Sequence, residues 1–186
     1  MQQIVFMRHS QQDYSYVFDK KYMGQGLDLA PLTDKGIQLA EKASHDSRLN
    51  GVEIIISSPY TRAMQTAAII SKNRKLDIKV EVGLHEWIPD ITYRYSTEED
   101  NLIAEELCTK YKGVCPKDCE IQFENFQDVF DRAKTALLRH RNYKKLLVVS
   151  HSVVIRRFVS YPNIPHCGIV EFGFDESCVC TEFDYC

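Results

Sequence analysis

An α/β fold, in which helices cover a mostly parallel sheet, is predicted by three features of this sequence. Short stretches rich in Ile and Val alternate along the chain with segments of helical periodicity. The stretches at 3–7, 52–56 and 145–149 are almost continuously apolar, as expected for strands buried on both faces of a sheet, and each ends at a polar cluster. The pattern at 168–183 predicts two strands joined by a turn at 175–177, so we expect a mixed sheet.

The other regular elements fill the intervals between these strands. Alternating apolar residues at 78–82 predict a strand nearer the edge of the sheet. A helix is expected at 33–46, with Thr33 as its N-cap. Another is expected at 59–72, where Ser58 is a suitable N-cap and a proline follows at the first helical position.

Two further helices are predicted in the second half of the chain. Residues 96–99 have the S-x-x-E form of a capping box, which indicates a helix start. A longer helix is predicted by apolar residues spaced alternately three and four apart, which form a core-facing stripe: Phe123, Phe126, Phe130, Ala133 and Leu137. No repeat or linker divides the chain, so we expect residues 1–186 to form a single domain with an insertion at about 87–121.

The composition favours a cytoplasmic protein with neither a membrane nor a nucleic-acid partner. The first apolar stretch, Ile4–Met7, is too short for a secretory signal. No run approaches the roughly 18 apolar residues that are needed to cross a bilayer. The formal net charge is -3, whereas domains that bind nucleic acid carry a basic face. The composition leaves the oligomeric state open.

The chain contains seven cysteines, an odd number. Without an export signal, free thiols are the expected state. Cys115 and Cys119 form a C-x3-C pair, and Cys178 and Cys180 form a C-x-C pair, so a metal site built from both pairs stays an alternative. Neither spacing is the C-x2-C of structural zinc sites, and we therefore expect no bound metal.

Histidines and arginines follow the predicted buried strands. Arg8 and His9 come directly after strand 3–7, and His151 comes after strand 145–149. Because the carboxyl ends of parallel strands meet at one edge of a sheet, both histidines should share one crevice. Arg62, near the start of the helix after strand 52–56, can reach the same crevice. Guanidinium groups beside helix N-termini bind phosphate dianions well, so a phosphate site is predicted here.

Glu86 follows the predicted edge strand and precedes Trp87. A bulky aromatic neighbour excludes water and so raises the pKa of a carboxyl group, which makes Glu86 the candidate acid and base. A lone histidine is more often a packed or surface side chain. We interpret the other four histidines in this way: His45, His85, His140 and His166.

Several motifs resemble those of the histidine phosphatase (phosphoglycerate mutase-like) superfamily. Residues 7–10, Met-Arg-His-Ser, are similar to its opening R-H-G signature, and residues 32–36 resemble its L-T-x-x-G. Residues 57–67 match its second signature almost without deviation. Further similar segments follow in the family's order: the acid-bearing segment at 84–86, the long helix at 123–132 and the second catalytic histidine at 148–152. Ser10 and Ser152 depart from the family's pattern, because glycine is commonest after each histidine.

The resemblance implies a three-layer αβα sandwich and a phosphohistidine mechanism. His9 would be the nucleophile, and Glu86 would serve as acid and then as base. Arg8, Arg62 and His151 would bind the phosphoryl group and stabilise its charge, with Ser10 and Ser152 beside them in the substrate pocket. These cations replace the magnesium of many phosphoryl-transfer enzymes, so no metal and no other cofactor is implied.

The activity expected from this resemblance is hydrolysis of a small phosphorylated metabolite. A phosphoglycerate mutase is the alternative, and we disfavour it because residues 87–94 lack the mutases' E-R-x-Y-G-x-L-x-G motif. A pseudo-phosphatase that only binds a phosphorylated ligand is a second alternative, although every reacting group is present. The substrate itself stays open. The insertion would form the rim of the site, where Tyr93, Arg94 and Tyr95 are candidate contacts.

Overall fold

The computed structural model describes residues 1–22, 24–94 and 97–181, which contain one five-stranded sheet. The strands are, in chain order, β1 (Gln2–Arg8), β2 (Ile54–Ser57), β3 (Ile78–Val80), β4 (Lys145–Ser150) and β5 (Ile169–Phe174). They lie in the order β3-β2-β4-β1-β5. All neighbours are parallel except β1 and β5, which are antiparallel. The prediction of a mostly parallel, mixed sheet is confirmed.

The predicted carboxyl-terminal pair of strands is only half correct. β5 ends at Phe174 and a turn follows, but residues 178–181 form no strand, and 182–183 lie outside the described residues. Instead, Cys178 and Cys180 pack against the apolar cluster on one face of the sheet. The backbone N–H of Thr181 donates to the carbonyl of Arg157 (2.9 Å), so this segment pairs with the loop after a helix rather than with β5.

Six α-helices connect the strands in the described part of the chain. They are α1 (Ser15–Asp19), α2 (Asp34–Ala43), α3 (Thr61–Arg74), α4 (Glu98–Lys110), α5 (Phe126–Leu138) and α6 (Ser152–Arg156). Short 3-10 turns lie at Gly24–Leu29, Ser47–Leu49 and Val82–Leu84. None of these helices has the length and apolar character needed to cross a membrane. The insertion predicted at about 87–121 contributes α4.

Of the three N-caps predicted from the sequence, one is confirmed, one is wrong and one lies outside the described residues. Thr33 caps α2 as predicted, since its side-chain oxygen accepts the N–H of Gly36 (2.9 Å). The prediction that Ser58 caps α3 is wrong, because the helix begins two residues later and Tyr60 is its N-cap. The capping box of α4 uses Thr97 with Asp100. Ser96, the cap suggested by the sequence, lies outside the described residues.

Two apolar clusters, one on each face of the sheet, form the core. Alternate residues of a strand point to opposite faces. Phe6 and Val148 therefore join the larger cluster under α5 and α6, whereas Met7 and Val149 join the smaller one under α3. The whole predicted stripe is buried in the larger cluster, including Phe123, which precedes α5. Helices thus cover both faces of the sheet, and the three-layer architecture is confirmed.

Candidate active site

The pairing of β1 with β4 brings the predicted site residues together. The register sets Arg8 opposite Ser150, so His9 and His151 both follow at the carboxyl edge of the sheet. The backbone N–H of His9 donates to the carbonyl of Ser150 (2.9 Å), which continues the parallel pairing one residue further. The two imidazole rings lie with their centroids 5.0 Å apart. Arg62 is the second residue of α3, and its guanidinium lies at the same edge of the sheet, where it donates to the ring of His9.

His9 is held as a neutral imidazole with an available lone pair. Its ring is 4% exposed. Nε2 accepts a hydrogen bond from Nε of Arg62 (3.2 Å), and Nδ1 lies 2.7 Å from the carbonyl of Ser10, to which it donates. Burial lowers the pKa of His9 well below its usual value, and the guanidinium of Arg62 lowers it further. The hydrogen bond to Ser10 fixes the tautomer, which leaves the ring's lone pair on Nε2.

Ser10 lies beneath His9 and does not face the cleft. Its backbone N–H donates to Oγ1 of Thr66 (2.9 Å), and its hydroxyl donates to the carbonyl of Gly36 (2.6 Å). The backbone N–H and hydroxyl of Ser10 are thus bonded within the protein, and its direct contact with substrate stays a prediction. Gly36 permits this arrangement, because a Cβ there would lie 2.2 Å from the carbonyl oxygen of Gln11.

His151 is fully buried at the N-cap of α6. Its Nε2 pairs with the hydroxyl of Ser58 (2.7 Å), which explains why that serine does not cap α3. Nδ1 is buried and has no hydrogen-bond partner among the described residues. Burial, followed by the charge of Arg62, lowers the pKa of His151 well below its usual value. Ser152, the other predicted contact on this segment, is the first residue of α6 and remains partly exposed.

The two predicted arginines are anchored differently. Nη1 of Arg8 donates to the carbonyl of Ile164 (2.7 Å), in the loop before β5. Arg62 is 5% exposed and its guanidinium lies 5.0 Å from the centre of the Tyr60 ring. Besides donating to His9, Arg62 directs Nη1 toward the carbonyl of Leu27 (3.4 Å). Both cations are therefore fixed beside His9 before any anion binds.

Glu86 is positioned by an arginine that the sequence analysis did not single out. Oε1 of Glu86 accepts the backbone N–H of Trp87 (2.9 Å), and burial raises the pKa of the carboxyl group. Nη1 of Arg132, on α5, donates to the carbonyls of Gly83 and His85 (2.7 Å each). Arg132 also pairs with Glu124 at 2.7 Å. In the sequence, Arg132 ends the segment 123–132 that resembles the family's long helix, but no sequence signal indicates that it contacts the loop of Glu86.

A cleft of about 480 Å³ opens beside Arg62 and Glu86. Its wall is aromatic and acidic. The aromatic side chains are Tyr14, Tyr60, Trp87 and Tyr93, and the carboxylates are Asp28, Glu86, Asp90 and Glu105. Arg62 is the one Arg or Lys among the described lining residues. Of the predicted rim contacts, Tyr93 lines the cleft, Arg94 does not, and Tyr95 lies outside the described part of the chain.

The remaining histidines do not all match their interpretation as packed or surface side chains. His45 is exposed, and His140 is buried and hydrogen-bonded through Nε2 to Glu81 (2.8 Å), as expected for structural residues. His85, however, lines the cleft and stacks near Tyr60 with ring centroids 6.2 Å apart. His166 lies with its ring centroid 5.8 Å from that of His9. The loops that carry these two residues have no periodicity from which their position could be predicted.

No group of three or more His, Cys, Asp or Glu side chains within the described ranges could hold a metal ion. The C-x3-C and C-x-C pairs are thus not assembled into the metal site considered above. The six cysteines in these ranges are free thiols. Cys186 lies outside them.

Comparison with known proteins identifies the family. A model of the histidine phosphatase superfamily (branch 1) matches residues 4–183. The chain belongs to this superfamily. It is 28% identical over 158 residues to an adenosylcobalamin/alpha-ribazole phosphatase of Escherichia coli K12, covering 80% of this chain and 75% of that protein.

Solved structures agree with this assignment at the level of the fold. A mycobacterial glucosyl-3-phosphoglycerate phosphatase superposes with a TM-score of 0.68 at 18% identity, covering 91% of this chain and 89% of that one. YhfR of Bacillus stearothermophilus also gives 0.68, at 19% identity, covering 100% and 97%. The histidine phosphatase architecture predicted from the motifs is confirmed.

The buried, neutral state of His151 has a measurable consequence for stability. The pKa of His151 is lower in the folded protein than in the unfolded chain, where it is about 6.5. At pH values between these two pKa values, the unfolded state therefore binds more protons than the folded state. Stability should therefore fall as pH drops below about 6.5, with His151 contributing a slope of up to ~1.4 kcal/mol per pH unit. Urea unfolding of wild type and His151→Gln between pH 7.5 and 5 should show a shallower slope in the variant. His45→Gln is the exposed control, and equal slopes in all three proteins would contradict this origin.

Proposed function

We propose that this protein is a metal-independent phosphomonoesterase that works through a phosphohistidine on Nε2 of His9. The observation that carries the proposal is the state of that nitrogen. Nδ1 of His9 donates to Ser10, and Nε2 presents its lone pair beside the guanidinium of Arg62. A neutral imidazole of fixed tautomer next to a buried cation suits in-line attack on the phosphorus of a dianionic ester.

Two arginines and the neutral imidazole of His151, all beside His9, would stabilise the charge that develops on the phosphoryl oxygens. Arg8, Arg62 and His151 all lie within reach of the His9 ring, as its pKa and ring contacts indicate. On binding, a phosphoryl oxygen would accept the N–H that Arg62 now directs to Nε2. Because these groups are held in place beforehand, little reorganisation is needed during the reaction.

Glu86 would move the protons of both half-reactions. Burial raises the pKa of Glu86, which favours the protonated form; this form would give its proton to the leaving oxygen as the P–O bond breaks and the N–P bond forms. The resulting carboxylate then takes a proton from the water that attacks the phosphohistidine, which releases inorganic phosphate and restores neutral His9 and protonated Glu86. Arg132 supports both steps by holding the loop that carries Glu86.

The comparisons favour hydrolysis of a small phosphorylated molecule. Two of the similar proteins are named as phosphatases, of alpha-ribazole phosphate and of glucosyl-3-phosphoglycerate. By analogy, the substrate of this chain would be a phosphorylated metabolite that fits the adjoining cleft. A pseudo-phosphatase is disfavoured because the candidate nucleophile, the candidate acid and both arginines are retained, and Arg62 donates directly to His9.

The charge of the cleft disfavours a phosphoglycerate mutase. A mutase must hold an anionic glycerate beside the transferred phosphate, which requires additional cations. Here the cleft beyond Arg62 carries carboxylates instead. Glu105 forms no ion pair with the described residues, and burial raises the pKa of Asp28 to about 6. A second anionic group on the substrate would be repelled, so the alcohol part is proposed to be neutral or cationic.

His9→Ala tests the nucleophile directly. Without the lone pair of Nε2 there is no covalent intermediate, so turnover of p-nitrophenyl phosphate should fall to about 1% of wild type or less. Acid-labile, base-stable label from 32P-substrate should be trapped on wild type and absent from the variant. His45→Ala, an exposed histidine, is the control for both measurements. Substantial turnover or labelling in folded His9→Ala would refute the assignment.

Glu86→Gln tests the acid and base. The rate should fall about 10²-fold or more for an alkyl phosphate, and much less for the first half-reaction of p-nitrophenyl phosphate, whose leaving oxygen is a weak base. Since the pKa of Glu86 is raised and its acid form is needed, wild-type cleavage of the alkyl ester should decline as pH rises through that pKa. This decline should be lost in the variant. Glu105→Gln, which removes another carboxylate of the cleft, is the control. Its rate should depend on the leaving group and on pH as the rate of wild type does.

Product analysis separates hydrolase from mutase. With 3-phosphoglycerate and 2,3-bisphosphoglycerate we expect no 2-phosphoglycerate. Inorganic phosphate should form faster from glycerol 3-phosphate, which lacks the carboxylate, because the acidic cleft repels a second anion. Glu105→Gln removes one carboxylate from the cleft, so it should reduce the difference in kcat/KM between glycerol 3-phosphate and 3-phosphoglycerate. Rapid formation of 2-phosphoglycerate without inorganic phosphate would make the mutase alternative correct.

A further inference from the structure

The loop that precedes β5 holds His166 next to His9 through hydrogen bonds to the end of β1. The backbone N–H of Cys167 donates to the carbonyl of Arg8 (3.1 Å), and the N–H of Arg8 donates to the carbonyl of Gly168 (3.1 Å). The guanidinium of Arg8 adds a third hydrogen bond, to Ile164. These bonds join the two sides of His166 to the end of β1. These hydrogen bonds therefore hold the backbone of His166 close to His9, and the two ring centroids lie 5.8 Å apart.

The Nε2 atom of His166 lacks a partner. It is buried from solvent and forms no hydrogen bond with any described residue. Other buried ring nitrogens of the described histidines have partners: His9 pairs through both nitrogens, and His140, elsewhere in the protein, pairs through Nε2 with Glu81. The exception is Nδ1 of His151, on the other ring that contacts His9. Buried polar atoms in proteins are rarely left unpaired, so an external acceptor is the simplest account of both.

The charges around His166 favour an anion as that acceptor. Burial lowers the pKa of His166, and the two charged groups that lower it further, Arg8 and Lys35, are both cations. Neutral imidazole carries one N–H, which can donate to an oxygen. A phosphoryl group on His9 would bring oxygens to within reach of a ring whose centroid is only 5.8 Å away.

We propose that His166 is a further phosphoryl-binding residue, whose Nε2–H donates a hydrogen bond to a non-bridging oxygen of the group that His9 attacks. The proposal rests on the proposed function, since it assumes that phosphate binds at His9. It extends the set of contacts beyond Arg8, Arg62 and His151. It also assigns a role to the loop before β5, which no motif of the sequence marked.

The test compares His166→Ala, His166→Phe and His166→Gln. Phe keeps a planar ring without a donor, whereas the Gln amide places an N–H near the position of Nε2. Binding of inorganic phosphate, measured by calorimetry, needs no turnover. The Ala and Phe variants should bind phosphate roughly 10-fold or more weakly, as expected for loss of a hydrogen bond to a charged group. The Gln variant should remain within about threefold of wild type.

The catalytic efficiency of the His166 variants should follow the same order as their affinity for phosphate. With p-nitrophenyl phosphate, kcat/KM should fall in the Ala and Phe variants and recover in the Gln variant, and His45→Ala should match wild type. Thermal melts identify any variant that fails to fold, and the comparison then uses the folded ones. Wild-type affinity in folded His166→Ala, or equal losses with Gln and Phe, would overturn the proposal while leaving phosphatase activity of the wild type intact. Wild type that neither binds phosphate nor hydrolyses esters would overturn the proposed function together with this extension.

Discussion

The parallel pairing of β1 with β4 is the constraint on which the rest of the site depends. The register that sets Arg8 opposite Ser150 delivers His9 and His151 to the same edge of the sheet. A shift of one residue would exchange the side chains that β1 presents to the two apolar clusters, so the packing of both clusters favours the register that forms the site. The strong burial of Phe6 and Met7 on opposite faces thus stabilises an arrangement of two imidazoles 5.0 Å apart.

Burial then determines the electrostatics at this edge. Histidines placed among fixed arginines in a dry environment remain neutral, because both desolvation and the neighbouring cations disfavour a proton. The same loss of water has the opposite effect on Glu86, whose pKa it raises. One physical cause therefore produces the two protonation states that the proposed mechanism requires. The positive charge is concentrated around His9, and the negative charge lies along the cleft beyond Arg62.

Sequence reasoning succeeded where local periodicity or strand ends carried the information. Continuous apolar strands implied a parallel sheet, and residues directly after those strands, such as His9 and His151, could be placed at one edge. It was less successful in loops and at caps. Ser58 has the chemistry of an N-cap, yet its hydroxyl pairs with His151 from another strand end. A tertiary partner 93 residues away took precedence over the local preference.

The sequence by itself determined the fold class, the family and the identity of the reacting groups proposed here, because these follow from short-range patterns and from motifs in a fixed order. Only the tertiary structure decided that Ser10 is anchored to Gly36, that Arg132 holds the loop of Glu86, and that His166 lies close to His9. Each of these contacts joins segments far apart in the chain. Side chains in irregular loops are placed by such long-range backbone hydrogen bonds and packing, which leave no periodic trace in the sequence.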